Sequence, residues 1–111
     1  MADTVDNILK RTLEGLGVPC ERLKFSGTAD TFIVFQLVLG QEIDFSDDGT
    51  NATEYIYQIH LYSKGDYIPL LQKAKKALKE AGFFNVTINP EIYEAETGFY
   101  HIPLEVNYLE V

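Results

Sequence analysis

Two stretches of alternating residues constrain this chain most. Between Thr53 and Ser63, the residues Tyr55, Tyr57, Ile59 and Leu61 fall on one side of an extended backbone. Ile56, Gln58, His60 and Tyr62 fall on the other. Between Phe99 and Glu110, the residues Tyr100, Ile102, Leu104, Val106 and Tyr108 again share one side. A period of two fits a strand and scatters around a helix, so both stretches are predicted strands with an apolar face to cover. A third strand is predicted over residues 31–39, where Phe32, Ile33, Val34 and Phe35 are β-branched or aromatic. Both of its faces are apolar, which predicts a central strand or one covered on both sides.

The cover is supplied by two amphipathic helices. Residues 3–16 place Val5, Ile8, Leu9, Thr12, Leu13 and Leu16 at helical spacing, with Asp3 or Thr4 as N-cap and Gly15, Gly17 and Pro19 as stop signals. Residues 67–81 place Leu71, Ala74, Leu78 and Ala81 on a buried stripe, and Gly82 suits the C-terminal cap. Residues 20–25 predict a short strand. Residues 83–93 predict one strand, or two pieces broken near Asn89-Pro90. Pro103 predicts an unpaired edge or a bulge in the last strand. The expected fold is α+β, in the order α-β-β-β-α-β-β. It has an antiparallel or mixed sheet, two helices packed on it, and a long acidic β-hairpin around the polar segment 40–52. With 111 residues, 46% of them hydrophobic, residues 1–111 make one domain with a modest core.

Charge narrows the partners. Seventeen acidic against nine basic residues give a net charge of −8. That balance argues against specific nucleic-acid binding, which needs clustered Lys and Arg, and against anionic membrane surfaces. No apolar run reaches the length of a membrane span; residues 32–39 are too few and include Gln36. The polar start of the chain lacks the pattern of a signal peptide. A single cysteine, Cys20, forms no intrachain disulfide and fits a reducing compartment.

Local signatures of chemistry are missing. His60, His101 and Cys20 could be a metal pair or a base with its nucleophile, but no HxH, CxxC or HExxH spacing accompanies them, and we read the histidines as strand residues. Phosphate-loop, nucleophile-elbow and dinucleotide patterns are absent from the sequence. The run Asp44-Phe45-Ser46-Asp47-Asp48-Gly49 starts like a calcium loop, yet its twelfth position is Tyr55 where a bidentate Glu is needed. The carboxylates Glu42, Asp44, Asp47, Asp48 and Glu54 could hold an acid/base pair; we read them as a negative surface that repels DNA or docks on a basic partner. Lys73, Lys75, Lys76 and Lys79 make the second helix basic. An ordinary exposed helix face explains them, and so does a subunit-contact face that meets the acidic loop of a neighbouring copy. No catalytic residue, cofactor or metal is expected, and the chain is not expected to be an enzyme.

The order of these features resembles the tail-completion proteins of long-tailed bacteriophages and prophages, the tail terminators or head–tail joining proteins. The resemblance runs through Thr31-Phe32-Ile33-Val34-Phe35, the hairpin with Asp47-Asp48-Gly49, the strand from Tyr55 to Ser63, the helix from Ile68 to Ala81 with Gly82-Phe83, and the segment from Tyr93 to Ile102. The resemblance implies a structural virion protein forming a ring, commonly six-fold, that caps the tail tube and joins it to the head connector. The implied partners are further copies of the chain, the tail-tube protein and a head-completion protein. The implied location is the tail–neck region of the virion, after assembly in the bacterial host cytoplasm. Other neck proteins, such as a head-completion or stopper subunit, share much of this pattern, and a small enzyme or ligand-binding domain is the alternative of a different class.

Overall fold

The structure, a computed structural model, describes residues 4–45 and 50–111. Helix α1 (Val5–Glu14) begins where Thr4 stays extended and its hydroxyl accepts the Asn7 N–H at 3.1 Å. That bond satisfies one of the unpaired donors of a helix start. The helix turns Val5, Leu9 and Leu13 inward. Strand β1 (Cys20–Arg22) is shorter than expected, because Leu23 adopts φ 69°, a left-handed conformation that cannot continue a strand. Strands β2 (Thr31–Phe45) and β3 (Thr50–Ser63) follow, then α2 (Ile68–Glu80), β4 (Phe84–Ile88), β5 (Ile92–Glu94) and β6 (Phe99–Glu110).

Helix α2 ends in a two-bond cap. The Gly82 N–H donates to the Lys79 carbonyl at 3.2 Å and the Phe83 N–H to the Leu78 carbonyl at 3.0 Å, with Gly82 at φ 102°. Phe83 and Leu78, which this cap brings together, are both buried.

The six strands among the described residues form one mixed sheet. Its order is β1-β2-β3-β6-β4, and β5 also pairs with β6. Only β1 runs parallel to its neighbour; the other pairings are antiparallel. The α+β fold is as expected, with one strand more than the expected order. Residues 83–93 fold as two pieces, and the break falls at Asn89-Pro90-Glu91.

Pro103 does not mark a free edge, since β6 lies inside the sheet. Its carbonyl accepts the Asn89 N–H at 2.9 Å, so the polar backbone of this residue points away from β3, toward β4 and β5. The donor that proline lacks therefore falls where the neighbouring strand is interrupted. Its partners on β3 are served by the residues on either side.

Both helices pack on one face of the sheet. The core joins Ile33 and Phe35 of β2, Tyr57, Ile59 and Leu61 of β3, and Ile102, Leu104 and Val106 of β6 to Leu9 and Leu13 of α1 and Leu71 and Leu78 of α2. Among the described residues the other face carries no helix. There β2 is covered only in part, by Phe25 stacked on Phe32 at 4.2 Å.

The β2–β3 ladder runs past the rest of the sheet. The β6 pairing stops at Glu110 opposite Thr53, whereas β2 and β3 continue through Ile43–Ala52 to Phe45–Thr50. Strand β2 thus extends well beyond residue 39, through the segment expected to be a polar connection. This ribbon makes the molecule long, 53 × 29 × 23 Å with a radius of gyration of 15.2 Å. A compact chain of this length has about 13 Å.

Candidate functional site

The protruding ribbon starts at an irregularity in β2. Leu37 lies opposite Tyr57, but Leu39 lies opposite Ile56, so one extra residue sits in β2 at this point. Such a bulge flips which residues face the helices. Leu37, Val38 and Leu39 are 40%, 49% and 42% exposed, a run of large apolar side chains that water touches. Gly40 follows, where an added Cβ would stand 3.4 Å from the Tyr55 ring.

The two fully described carboxylates of the acidic set lie on this ribbon. Glu42 is opposite Thr53 and Glu54 is opposite Gln41. Thr53 and Glu54 are consecutive, so the two carboxylates project from opposite faces of the ribbon. They do not form an acid/base pair. Asp47 and Asp48 lie outside the described residues, as does the side chain of Asp44.

The basic set sits elsewhere. Lys73, Lys76 and Lys79 are exposed on α2 and Lys75 is half-buried. Among the described residues none of the four forms an ion pair, and none approaches Glu42 or Glu54 as one. Helix α2 packs beside β4, at the end of the sheet away from β1 and β2. The two charged sets are therefore separate within one copy.

The root of the ribbon is tied to α1. The Tyr57 hydroxyl donates to Asp6 Oδ1 at 3.2 Å, and Arg22 Nε lies 3.8 Å from the same oxygen. Burial first, then the Asp6 charge, pushes the Tyr57 phenol from 10.0 up to about 12.

On the uncovered face the structure brings together two residues that the sequence kept apart. His60 Nδ1 and His101 Nε2 are 2.8 Å apart, so one ring donates and the other accepts. Tyr62 stacks on His101 at 4.3 Å, Phe32 stacks on Tyr62 at 4.8 Å, and Glu94 Oε2 lies 3.9 Å from His101 Nδ1. Burial is the main cause that lowers both histidine pKa values. His101 lowers His60 further, while Glu94 pulls His101 the other way. The register explains the meeting: His60 is opposite Pro103 and Tyr62 is opposite His101, so the two imidazoles are diagonal neighbours on one face. A sequence signal for this would have required knowing that β6 pairs with β3.

Cys20 stands apart from both histidines. It belongs to the core on the helix-covered face, and burial, then Glu14, pushes its thiol from 9.0 to about 12. A thiol so held stays protonated and is a poor nucleophile. Among the described residues, no group of three or more His, Cys, Asp or Glu is placed to hold a metal ion. A shallow cleft of about 470 Å³ lies between Lys64, Asp66, Tyr67 and Tyr100. Its Tyr100 directly precedes His101 in β6, so the two side chains leave the strand on opposite faces. Among the described residues, no helix is long and apolar enough to cross a membrane.

Compared with known proteins, the chain matches no family model and no curated protein. Among solved structures it is similar to a chain of the virion of a native gene transfer agent particle. The TM-score is 0.50 at 15% sequence identity, covering 98% of this chain and 86% of that one. At that identity the likeness is one of fold.

Proposed function

We propose that the chain is a structural subunit of a phage-like virion, a tail terminator that assembles with its own copies into a ring at the end of the tail tube and joins the tube to the head connector. The observation that carries this reading is the fold shared, over nearly the whole chain, with a component of a gene transfer agent virion. The order of elements agrees with it: helix, long hairpin, helix, then a strand that ends beside the hairpin. Separated acidic and basic surfaces suit contact between successive copies.

The test is deletion of the gene from the element that encodes it, followed by electron microscopy of the lysate. The expected result is tails of uncontrolled length that are not joined to heads. Tails of normal length would refute the terminator role. If those tails were also unattached, with complete heads beside them, the subunit would belong elsewhere in the neck.

A further inference from the structure

We infer that successive copies join by sheet extension, the outer edge of β2 in one copy pairing with the β4 edge of the next. This rests on the ring reading above and names the surface that would build it.

Each end of the sheet leaves a backbone edge open. Strand β1 covers β2 only at residues 33–35, so the outer edge of β2 from Leu37 to Ile43 pairs with no described strand. Six of those seven residues are exposed. At the other end, among the described residues, β4 pairs only with β6, and its Phe84 and Ile88 are 39% and 42% exposed. A long exposed edge with apolar side chains is a template for another strand, and folded proteins normally shorten or cover one. Here β2 is covered for three residues and then runs bare.

Charge selects which edges meet. The β2 edge carries Glu42, and Glu54 lies on the next strand, β3, opposite Gln41. The β4 edge lies beside α2 with Lys73, Lys76 and Lys79. Joining like edges would set acid against acid or base against base. Joining unlike edges sets acid against base and brings Leu37, Val38 and Leu39 toward Phe84 and Ile88. A pairing of unlike surfaces is head-to-tail, and it closes into a ring when the rotation per copy allows.

The test uses the unaltered protein. Equal amounts of chain grown in ordinary and heavy nitrogen are mixed, assembled at rising concentration or on purified tails, and joined with a zero-length carbodiimide linker. Peptides are then read by mass spectrometry. Mixed-isotope links from Glu42 or Glu54 to Lys73, Lys76 or Lys79 are expected. A charge swap gives a second measure. Glu42→Lys with Glu54→Lys should raise the concentration needed for assembly at least tenfold, and adding Lys73→Glu, Lys76→Glu and Lys79→Glu should restore it. Assemblies whose mixed-isotope links join other surfaces, or a charge swap without rescue, would overturn the edge pairing and leave the ring reading intact. A chain that stays monomeric at every concentration and on tails would overturn both.

Discussion

Alkaline pH offers a direct test of how the core holds Cys20 and Tyr57. Both groups are buried, at 8% and 2% exposure, and both pKa values rise to about 12, from 9.0 for the thiol and 10.0 for the phenol. A raised pKa means that the folded chain keeps the proton while the unfolded chain gives it up. The stability from each group is complete below its unfolded pKa and is lost between that value and about 12. At pH 11 the loss integrates to about 3 kcal/mol for Cys20 and about 1 kcal/mol for Tyr57. The assay is urea unfolding at pH 8 and pH 11 for the unaltered chain, Cys20→Ala, Tyr57→Phe and the double variant. Each substitution has its own cost at pH 8, so the quantity compared is the drop between the two pH values. That drop should be about 4 kcal/mol for the unaltered chain, about 1 for Cys20→Ala and about 3 for Tyr57→Phe. The double variant should keep only a small residual drop, from Tyr62, whose pKa is raised by burial and then by Glu94, and from Tyr55, raised by burial and then by Glu110. A Cys20→Ala protein that loses as much as the unaltered chain would refute the reasoning.

Two further outcomes follow from local geometry. Acid should destabilise the chain through His60 and His101: their lowered pKa values leave the unfolded chain binding more protons as pH falls below 6.5. The groups that face the pair are Glu94 and Tyr62, and thermal melts at pH 7 and pH 5 should show a smaller acid loss in His60→Gln than in the unaltered chain. Gly82→Ala should cost about 1–2 kcal/mol, because φ 102° strains any side chain and the new Cβ meets the Tyr108 ring at 3.4 Å. That corresponds to a melting point lower by about 4–8 °C, whereas Gly65→Ala, with open space and no such φ, should not lower it.

Much of the fold was legible because backbone geometry writes itself into side-chain order. Tyr57, Ile59 and Leu61, and Ile102, Leu104 and Val106, are the covered face in the structure as in the sequence. Leu71, Ala74 and Leu78 likewise mark the buried stripe of α2, and Asn89-Pro90 marks the break between β4 and β5. Other parts depend on contacts between distant segments. Gly40, Gln41 and Glu42 have weak strand preference, and only pairing with Thr53, Glu54 and Tyr55 keeps them extended. Pro103 marks a local gap rather than a free edge of the sheet, because a proline needs a missing partner at one backbone position and an interrupted neighbour provides that. The histidine pair was hidden by the insertion of β6 beside β3, which no local pattern encodes. Of the candidate surfaces, the four lysines lie on α2 with Lys75 half-buried, while the acidic set is described only at Glu42 and Glu54.

Strand β3 also has a mechanical consequence. It runs unbroken from Thr50 to Ser63, bonded to β2 along its whole length and to β6 from Thr53 onward. The ladder bonds lie across the strand axis. A pull on the outer end of the ribbon therefore loads many of them side by side, in shear, rather than peeling them one at a time. Force applied there would pass along β3 into the layer that α1 and α2 brace, and the ribbon would act as a strut rooted in the core.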